Sequence, residues 1–360
     1  MQTRAAVLRD PKGCFGIEQL TLDDPAPDEV VVEIAGAGFC HTDLLPRVAP
    51  IVMPIVCGHE GAGIVRATGA DVTDIAVGDH VVMSFDFCGD CRNCVSGHPS
   101  YCSSFFPRNM SGTRLDGSTN AKDAVGKAVS ARWFGQSSFA DYAVVAARNV
   151  VRVGAELPLE LLGALGCGFQ TGAGAVLNSL SVQRGTSIAV FGAGAVGLAA
   201  VMAARIADAD TIVAVDLNPD RLELATRYGA THVIDGAADD LGKQLHAVTG
   251  GADYAFDTTG VPKVIGTAID ALHSLGVCGL VGVQRGELRI NPMQLATGKT
   301  VMGIVEGDSV PRQFIPELID YWRRGEFPFD ELITKFPLAD IAAAERAMHS
   351  GKVVKAVLIP

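Results

Sequence analysis

The chain has 360 residues, a formal net charge of −11 and 48% hydrophobic residues. That length exceeds what one core usually supports and predicts two domains, while the acidic balance without clustered basic residues excludes a surface that neutralises nucleic-acid or membrane phosphates. Met1–Asp10 lacks the apolar core of an export signal, so the nine Cys read as metal ligands and free thiols in a cytoplasmic protein.

In chain order, the first part shows short alternating runs at Glu29–Ile34, Gly61–Ala67, His80–Phe85 and Tyr142–Val145, punctuated by Gly, Pro and Asp. This is the texture of an all-β, barrel-like domain. Ser103–Lys127 is rich in Gly, Ser and Asn without period and reads as a long surface loop. After Pro158 the texture changes. Short helices are expected at Leu159–Cys167 and Thr171–Leu180. Strands Ser187–Phe191, Thr211–Asp216, His232–Ile234, Asp253–Phe256 and Val277–Val283 then alternate with helices starting at Gly194 and spanning Pro219–Tyr228, Leu241–Val248 and Lys263–His273. Such alternation means crossover units and a parallel sheet, an α/β fold. Ile188–Ala204 approaches the length of a membrane span but is short and interrupted by Gly. Thr300–Val305 adds a sixth strand and Ser309–Arg324 a helix with Pro316 inside it. The terminal helix Leu338–Ser350 and strand Val353–Ile359 return to the first texture. The expected division is 1–168 with 306–360 for one domain and 169–305 for the other.

Three constellations carry chemistry. Cys88, Cys91, Cys94 and Cys102 form C-x2-C-x2-C-x7-C, four thiols close enough to close a tetrahedral zinc shell with no open position. A zinc-ribbon nucleic-acid module competes, but the acidic chain and missing basic flanks weigh against it. Gly192-Ala193-Gly194-Ala195-Val196-Gly197 gives G-x-G-x-x-G after an apolar strand and at the start of an Ala-rich helix. Its glycines allow a tight turn, close approach of a pyrophosphate and close helix packing, with the helix N-terminus facing the anion. Asp216 ends the next strand about 20 residues on, where a carboxylate binds a ribose 2′-hydroxyl and favours NAD over NADP. Arg221 lies near enough to blur that preference.

The third constellation is Cys40-His41-Thr42-Asp43 followed by His59-Glu60 across an apolar run. Thiolate, imidazole and carboxylate are protein ligands zinc prefers, though a buried free Cys beside a stray His is the plainer account of that pair alone. A further ligand is needed. Of the remaining cysteines, Cys167 lies at the junction of the two textures, whereas Cys14, Cys57 and Cys278 sit where core thiols are the default.

Taken together, Cys40–Asp43, Gly58-His59-Glu60, the four-Cys loop, Gly166-Cys167-Gly168, the Gly-rich turn with Asp216 and Gly351–Lys355 make the chain resemble the zinc-containing medium-chain alcohol dehydrogenases over its whole length. Phe134-Gly135-Gln136-Ser137-Ser138-Phe139, Leu165–Gly174, Gly303–Gly307 and Gly325–Asp330 resemble its aryl- and allyl-alcohol branch, the benzyl alcohol and geraniol dehydrogenases. The resemblance implies a GroES-like β-barrel catalytic domain and a Rossmann coenzyme domain. It implies two zinc ions per chain, the catalytic one on Cys40, His59 and Cys167. Glu60 matches a residue that approaches that metal transiently, Asp43 one that orients the ligand His, and Thr42 the hydroxyl that takes the alcohol proton. His41 and Lys355 fall at cofactor-pyrophosphate contacts, and Thr171, Val196, Val281 and Val283 at the nicotinamide. Phe85, Trp133, Phe134 and Val305 are candidates for the substrate pocket, with core packing as the alternative for each.

One position departs from the liver-type members: Leu45 stands where a His finishes the proton path, so the relay must end at the cofactor ribose or in water. The expected activity is reversible oxidation of primary aromatic or allylic alcohols with NAD. The alternatives are a glutathione-dependent formaldehyde dehydrogenase and a zinc-binding relative without catalysis. A homodimer through the edge strand Thr300–Val305 is expected, with a tetramer as the alternative.

Overall fold

A computed structural model describes residues 1–283 and 286–360. The chain divides into two compact units, the first Met1–Gly168, Val310–Ile319 and Phe329–Pro360, the second Phe169–Ser309 and Asp320–Pro328.

The first unit is built on two sheets. One runs in the order Ile55–Val56, Gln2–Leu8, Gly16–Leu22, Ala121–Lys122 and Ala128–Val129. The other runs Val150–Val153, His80–Met83, Glu60–Thr68, Glu29–Gly38, Lys355–Ile359 and Ile333–Pro337, with Tyr142–Ala146 also paired to Glu29–Gly38. Val30, Val32, Ala37, Ala62 and Val65 on the central strands are almost fully buried. The register shifts twice along the Glu29–Gly38 pairing with Glu60–Thr68, irregularities that bend a sheet toward a closed shape. Glu60 begins the strand on one side of Glu29–Gly38 and Lys355 the strand on its other side, both at the Gly38 end, so residues far apart in sequence start at the same end of the sheet.

The second unit holds six parallel strands in the order His232–Asp235, Thr211–Asp216, Ser187–Phe191, Ala252–Asp257, Leu272–Leu280 and Thr300–Gly303. Numbered along the chain this is 3-2-1-4-5-6, the doubly wound arrangement whose ligand crevice lies where strand order reverses, beside the first strand. Its apolar strands bury Ala189, Phe191, Val213 and Val215 against Leu245, Ile265 and Ile269. Ile188–Ala204 resolves into the end of a strand, the Gly-rich turn and the helix Ala195–Ile206, and among the described residues no helix is long and apolar enough to cross a membrane.

Four expectations are corrected. Ser103–Lys127 is more than a surface loop: it contains the helix Phe105–Asn109 and the strand Ala121–Lys122, with Asn109 and Asn120 fully buried. The Asn109 amide donates to the Asp86 and Phe105 carbonyls and accepts the Asp86 N–H, so local polarity there serves burial. The helix expected at Lys263–His273 stops at Asp270, because Leu272 already pairs with Ala252. That strand ends at Leu280, leaving Val281 and Val283 beyond it. Lastly, Glu306–Ser309 and Asp320–Pro328 belong to the second unit, where the Glu306 carboxylate accepts from Gln170 and Thr171 at 3.3 and 3.4 Å.

Candidate active site

The four clustered cysteines lie on an irregular loop with their sulfurs all within 4.8 Å of one another. The Cys88 N–H donates to Cys102 Sγ and the Cys91 N–H to Cys88 Sγ, both at 3.3 Å. Hydrogen bonds from backbone N–H groups bring the Cys91 thiol down to about 5, while burial pushes Cys94 up to about 12. A donor set of four thiols at this spacing fits a closed, structural zinc site.

The second cluster is assembled in the first unit from three segments. Cys40 precedes the one-sided turn His41–Arg47, His59 precedes the strand Glu60–Thr68, and Cys167 follows the turn Gly163–Gly166. The Cys40 and Cys167 sulfurs, a His59 nitrogen and a Glu60 oxygen lie within 4.8 Å of one another. Asp43 is fully buried and spends its carboxylate on three groups: the Cys40 N–H at 3.1 Å, the Gly58 N–H at 2.9 Å and His59 Nδ1 at 2.8 Å. Gly58 is left-handed, with φ of 92°, and a Cβ there would come within 2.5 Å of the Phe139 nitrogen. With Nδ1 engaged, His59 Nε2 is buried without a hydrogen-bond partner and is available to a metal. Burial lowers the His59 ring pKa, but the Asp43 and Cys40 charges outweigh it and hold the ring well above its usual range. A hydrogen bond with Cys167, followed by the His59 and Lys355 charges, carries the Cys40 thiol well below the usual thiol range despite burial.

Glu60 is tied by two further groups. Lys355 Nζ donates to both Glu60 oxygens at 2.7 and 2.8 Å, and the Gly168 N–H donates to Glu60 Oε1 at 3.0 Å. Burial opposes the ammonium, yet the Glu60 and Cys40 charges hold Lys355 at about 12. Burial raises the Glu60 carboxyl, with Lys355 pulling it back.

An aromatic cluster adjoins the same imidazole. The Phe134 ring stacks on His59 with centroids 4.4 Å apart and planes 26° from parallel. Trp133 and Phe105 pack edge-on to Phe134, and Phe85 packs against Phe105.

In the second unit, Gly192 is left-handed, and the Ala193 N–H donates to Asp216 Oδ2 at 2.6 Å. The other Asp216 oxygen accepts the Asn218 N–H at 2.8 Å, which leaves the carboxylate fixed beside the Gly-rich turn. A Cβ on Gly197 would fall 1.7 Å from the Gly192 carbonyl oxygen, so only glycine lets the helix start this close to the strand end.

Two sequence families match the chain, the alcohol dehydrogenase GroES-like domain over residues 26–155 and the zinc-binding dehydrogenase domain over residues 195–321. The chain therefore belongs to the zinc-binding medium-chain alcohol dehydrogenases. Within that family it is 44% identical to geraniol dehydrogenase of Castellaniella defragrans, an alignment covering 100% of this chain and 98% of that one. The crystal structure of benzyl alcohol dehydrogenase from Acinetobacter calcoaceticus superposes with a TM-score of 0.96 at 40% identity, covering 100% of this chain and 99% of that one. These two relatives support the aryl/allyl-alcohol branch. S-(hydroxymethyl)glutathione dehydrogenase of Saccharomyces cerevisiae is 34% identical over 98% of this chain and 95% of its own length.

The structure brings Cys40, Asp43, His59, Glu60 and Cys167 together and places half-buried Thr42 and Leu45 in the turn that follows Cys40. His41 is exposed, its ring edge-on to His349 with centroids 6.1 Å apart. Lys355, expected at a cofactor pyrophosphate, is buried with its ammonium on Glu60. Phe85, Trp133 and Phe134 are all buried in the first unit, and half-buried Val305 belongs to the second. Thr171 is buried beside Glu306, Val196 and Val281 are half-buried, and Val283 is 60% exposed. Arg221 is buried, and burial lowers its guanidinium pKa against the pull of Asp216. Gln136 was not singled out from sequence as a site residue. It lies in the quoted Phe134–Phe139 segment, and its amide donates to the His59 carbonyl and accepts the Gly61 N–H, bracketing Glu60.

Proposed function

We propose that the protein oxidises primary aromatic or allylic alcohols to aldehydes, reversibly, with NAD. The observation that carries this reading is the aromatic wall beginning at Phe134, stacked directly on the imidazole of the Cys40–His59–Cys167 set. A flat conjugated substrate gains from such a wall through offset or edge contacts, and the geraniol and benzyl alcohol dehydrogenase relatives support the same substrate class. Cys40, His59 and Cys167 would hold a catalytic zinc, and Cys88, Cys91, Cys94 and Cys102 a structural one. When bound, the catalytic zinc supplies a Lewis acid that lowers the pKa of an alcohol hydroxyl, and NAD supplies the hydride acceptor.

The remaining work falls to the chain's own side chains. Asp43 holds His59 Nδ1 and so keeps Nε2 turned toward the metal position. Thr42 takes the hydroxyl proton of the alcohol. Leu45, three residues on, carries no exchangeable proton, so the relay leaves Thr42 for the cofactor ribose or water. Lys355 holds the Glu60 carboxylate beside the cluster. Asp216, fixed by two backbone N–H groups, accepts from a ribose hydroxyl and disfavours a 2′-phosphate. His41, Thr171, Val196, Val281, Val283 and Arg221 are the further cofactor contacts of this reading. A cytoplasmic homodimer through the edge strand Thr300–Gly303 completes it.

The yeast relative supports a second reading, oxidation of S-hydroxymethylglutathione. That substrate is anionic and calls for cationic side chains, whereas the aromatic wall is neutral, with Phe134 on His59 and Trp133 and Phe105 against Phe134. Following NADH formation with benzyl alcohol, geraniol, ethanol and S-hydroxymethylglutathione separates the two. Higher kcat/KM for benzyl alcohol or geraniol supports the proposal; preference for the glutathione adduct or for ethanol would refute it.

A further inference from the structure

Asp43 fixes His59 at a single point, Nδ1, and a ring held at one point can still pivot about that hydrogen bond. What stops it comes from Trp133–Phe139. Gln136 is fully buried, and its amide donates to the His59 carbonyl at 2.9 Å and the Ser84 carbonyl at 3.1 Å. The amide oxygen accepts the Gly61 N–H at 3.1 Å. One side chain therefore grips the backbone on both sides of Glu60. The next residues continue the grip: the Ser138 N–H donates to the Gly58 carbonyl at 2.9 Å and the Phe139 N–H to the Cys57 carbonyl at 3.0 Å.

Phe134 closes the arrangement from above. Its backbone is left-handed, with φ 50° and ψ 35°, a conformation costly for a residue with a Cβ and held only where the surroundings enforce it. Ser137, also left-handed at φ 54°, enforces it: its hydroxyl accepts the Trp133 N–H at 2.8 Å and donates to the Val56 carbonyl at 2.6 Å. The strained turn delivers the Phe134 ring flat onto the imidazole at 4.4 Å. We propose that Phe134 and Gln136 are positioning residues for His59, the ring blocking the pivot and the amide fixing the backbone, so that Nε2 keeps one direction. The proposal rests on the reading of His59 as a metal ligand, and it adds a second function to a residue otherwise assigned only to the substrate wall.

The test uses full-length protein carrying Co²⁺ at the catalytic site and Zn²⁺ at the four-cysteine site. The visible d–d spectrum and the release of each ion to a chromogenic chelator are recorded for the parent protein, Phe134→Leu and Gln136→Leu. Disturbing groups that orient a metal ligand weakens binding roughly 10- to 100-fold. Co²⁺ should therefore leave both variants faster by about that factor, with a shifted d–d band and unchanged release of Zn²⁺. Parent-like spectra and release in both variants would overturn the proposal. Equal acceleration for both ions, the mark of a generally loosened fold, would overturn it too. If the parent itself binds no ion beyond the four-cysteine one, the reading of the Cys40 set fails, and this inference falls with it.

Discussion

Replacing Lys355 by Met tests the electrostatics beneath the cluster. In the intact protein the ammonium and the Glu60 carboxylate are both buried and hydrogen-bonded at 2.7 and 2.8 Å. At an effective dielectric of about 20, charges at that separation attract by roughly 6 kcal/mol before the cost of drying them is counted. Removing one partner strands the other in a dry site, for which about 3–5 kcal/mol is typical. In a unit of this size each kcal/mol lowers the melting temperature by about 2–4 °C, so Lys355→Met should melt roughly 6–20 °C lower. Removing the charge on both sides, as in Glu60→Gln with Lys355→Met, should restore more than half of that. The pH dependence has a definite sign. Burial already raises the Glu60 carboxyl, and loss of Lys355 raises it further. A carboxyl raised in the folded state contributes stability below its unfolded pKa and loses it as pH rises through the folded value. The single variant's deficit should therefore shrink from pH 8 to pH 5. Differential scanning calorimetry of the three proteins across that range decides it. A deficit under about 1 kcal/mol at pH 8, or one that grows on acidification, would refute the reasoning.

Three further outcomes are expected. Thr42→Ala should lower kcat by about 10²–10⁴-fold, the usual worth of a positioned proton acceptor, while NADH fluorescence titration gives an unchanged cofactor Kd; parent-like turnover would remove Thr42 from the relay. Asp216→Ser should move the ratio of kcat/KM for NAD over NADP toward NADP, because the repulsion of a 2′-phosphate is gone, and an unchanged ratio would argue against its role. In the second unit, Asp253 Oδ1 meets His273 Nε2 at 2.7 Å, and this hydrogen bond raises the imidazole pKa. Stability from a raised His is present below its unfolded pKa near 6.5 and lost as pH rises through the folded value. His273→Gln should therefore cost more stability at pH 6 than at pH 9 in urea titrations. The site is partly exposed and screened, so the effect is small.

What was legible in the sequence was what neighbouring residues decide. Thr211–Asp216 and Pro219–Tyr228 form at the expected residues, since Asn218 caps the helix, Pro219 opens it and Gly229 ends it. The four-cysteine loop and the Gly-rich turn are likewise local. Distant partners decided the rest. Ser103–Lys127 looked like a loop because its anchors lie elsewhere, Arg114 on Glu29 and Asn109 on Asp86. Leu272 and His273 carry no local mark of the strand that Ala252 and Asp253 draw them into. Gln136 reads as an ordinary polar residue until the chain brings it back to His59.

Lys355 is the most instructive of these, because it reaches Glu60 from 295 residues away in the chain. If Cys40 and Cys167 are both deprotonated, two thiolates and the Glu60 carboxylate face one ammonium, and two negative charges remain. Asp43 adds a further carboxylate against His59 Nδ1. Against burial, Asp43 first and Cys40 second raise the His59 ring pKa, while a hydrogen bond with Cys167 and the His59 and Lys355 charges lower that of the Cys40 thiol. A divalent cation held by Cys40, His59 and Cys167 would offset two of these charges, with His59 Nδ1 still held by Asp43. The buried ammonium and the Gly168 N–H hold the Glu60 carboxylate where its oxygen lies within 4.8 Å of the Cys40, His59 and Cys167 ligand atoms.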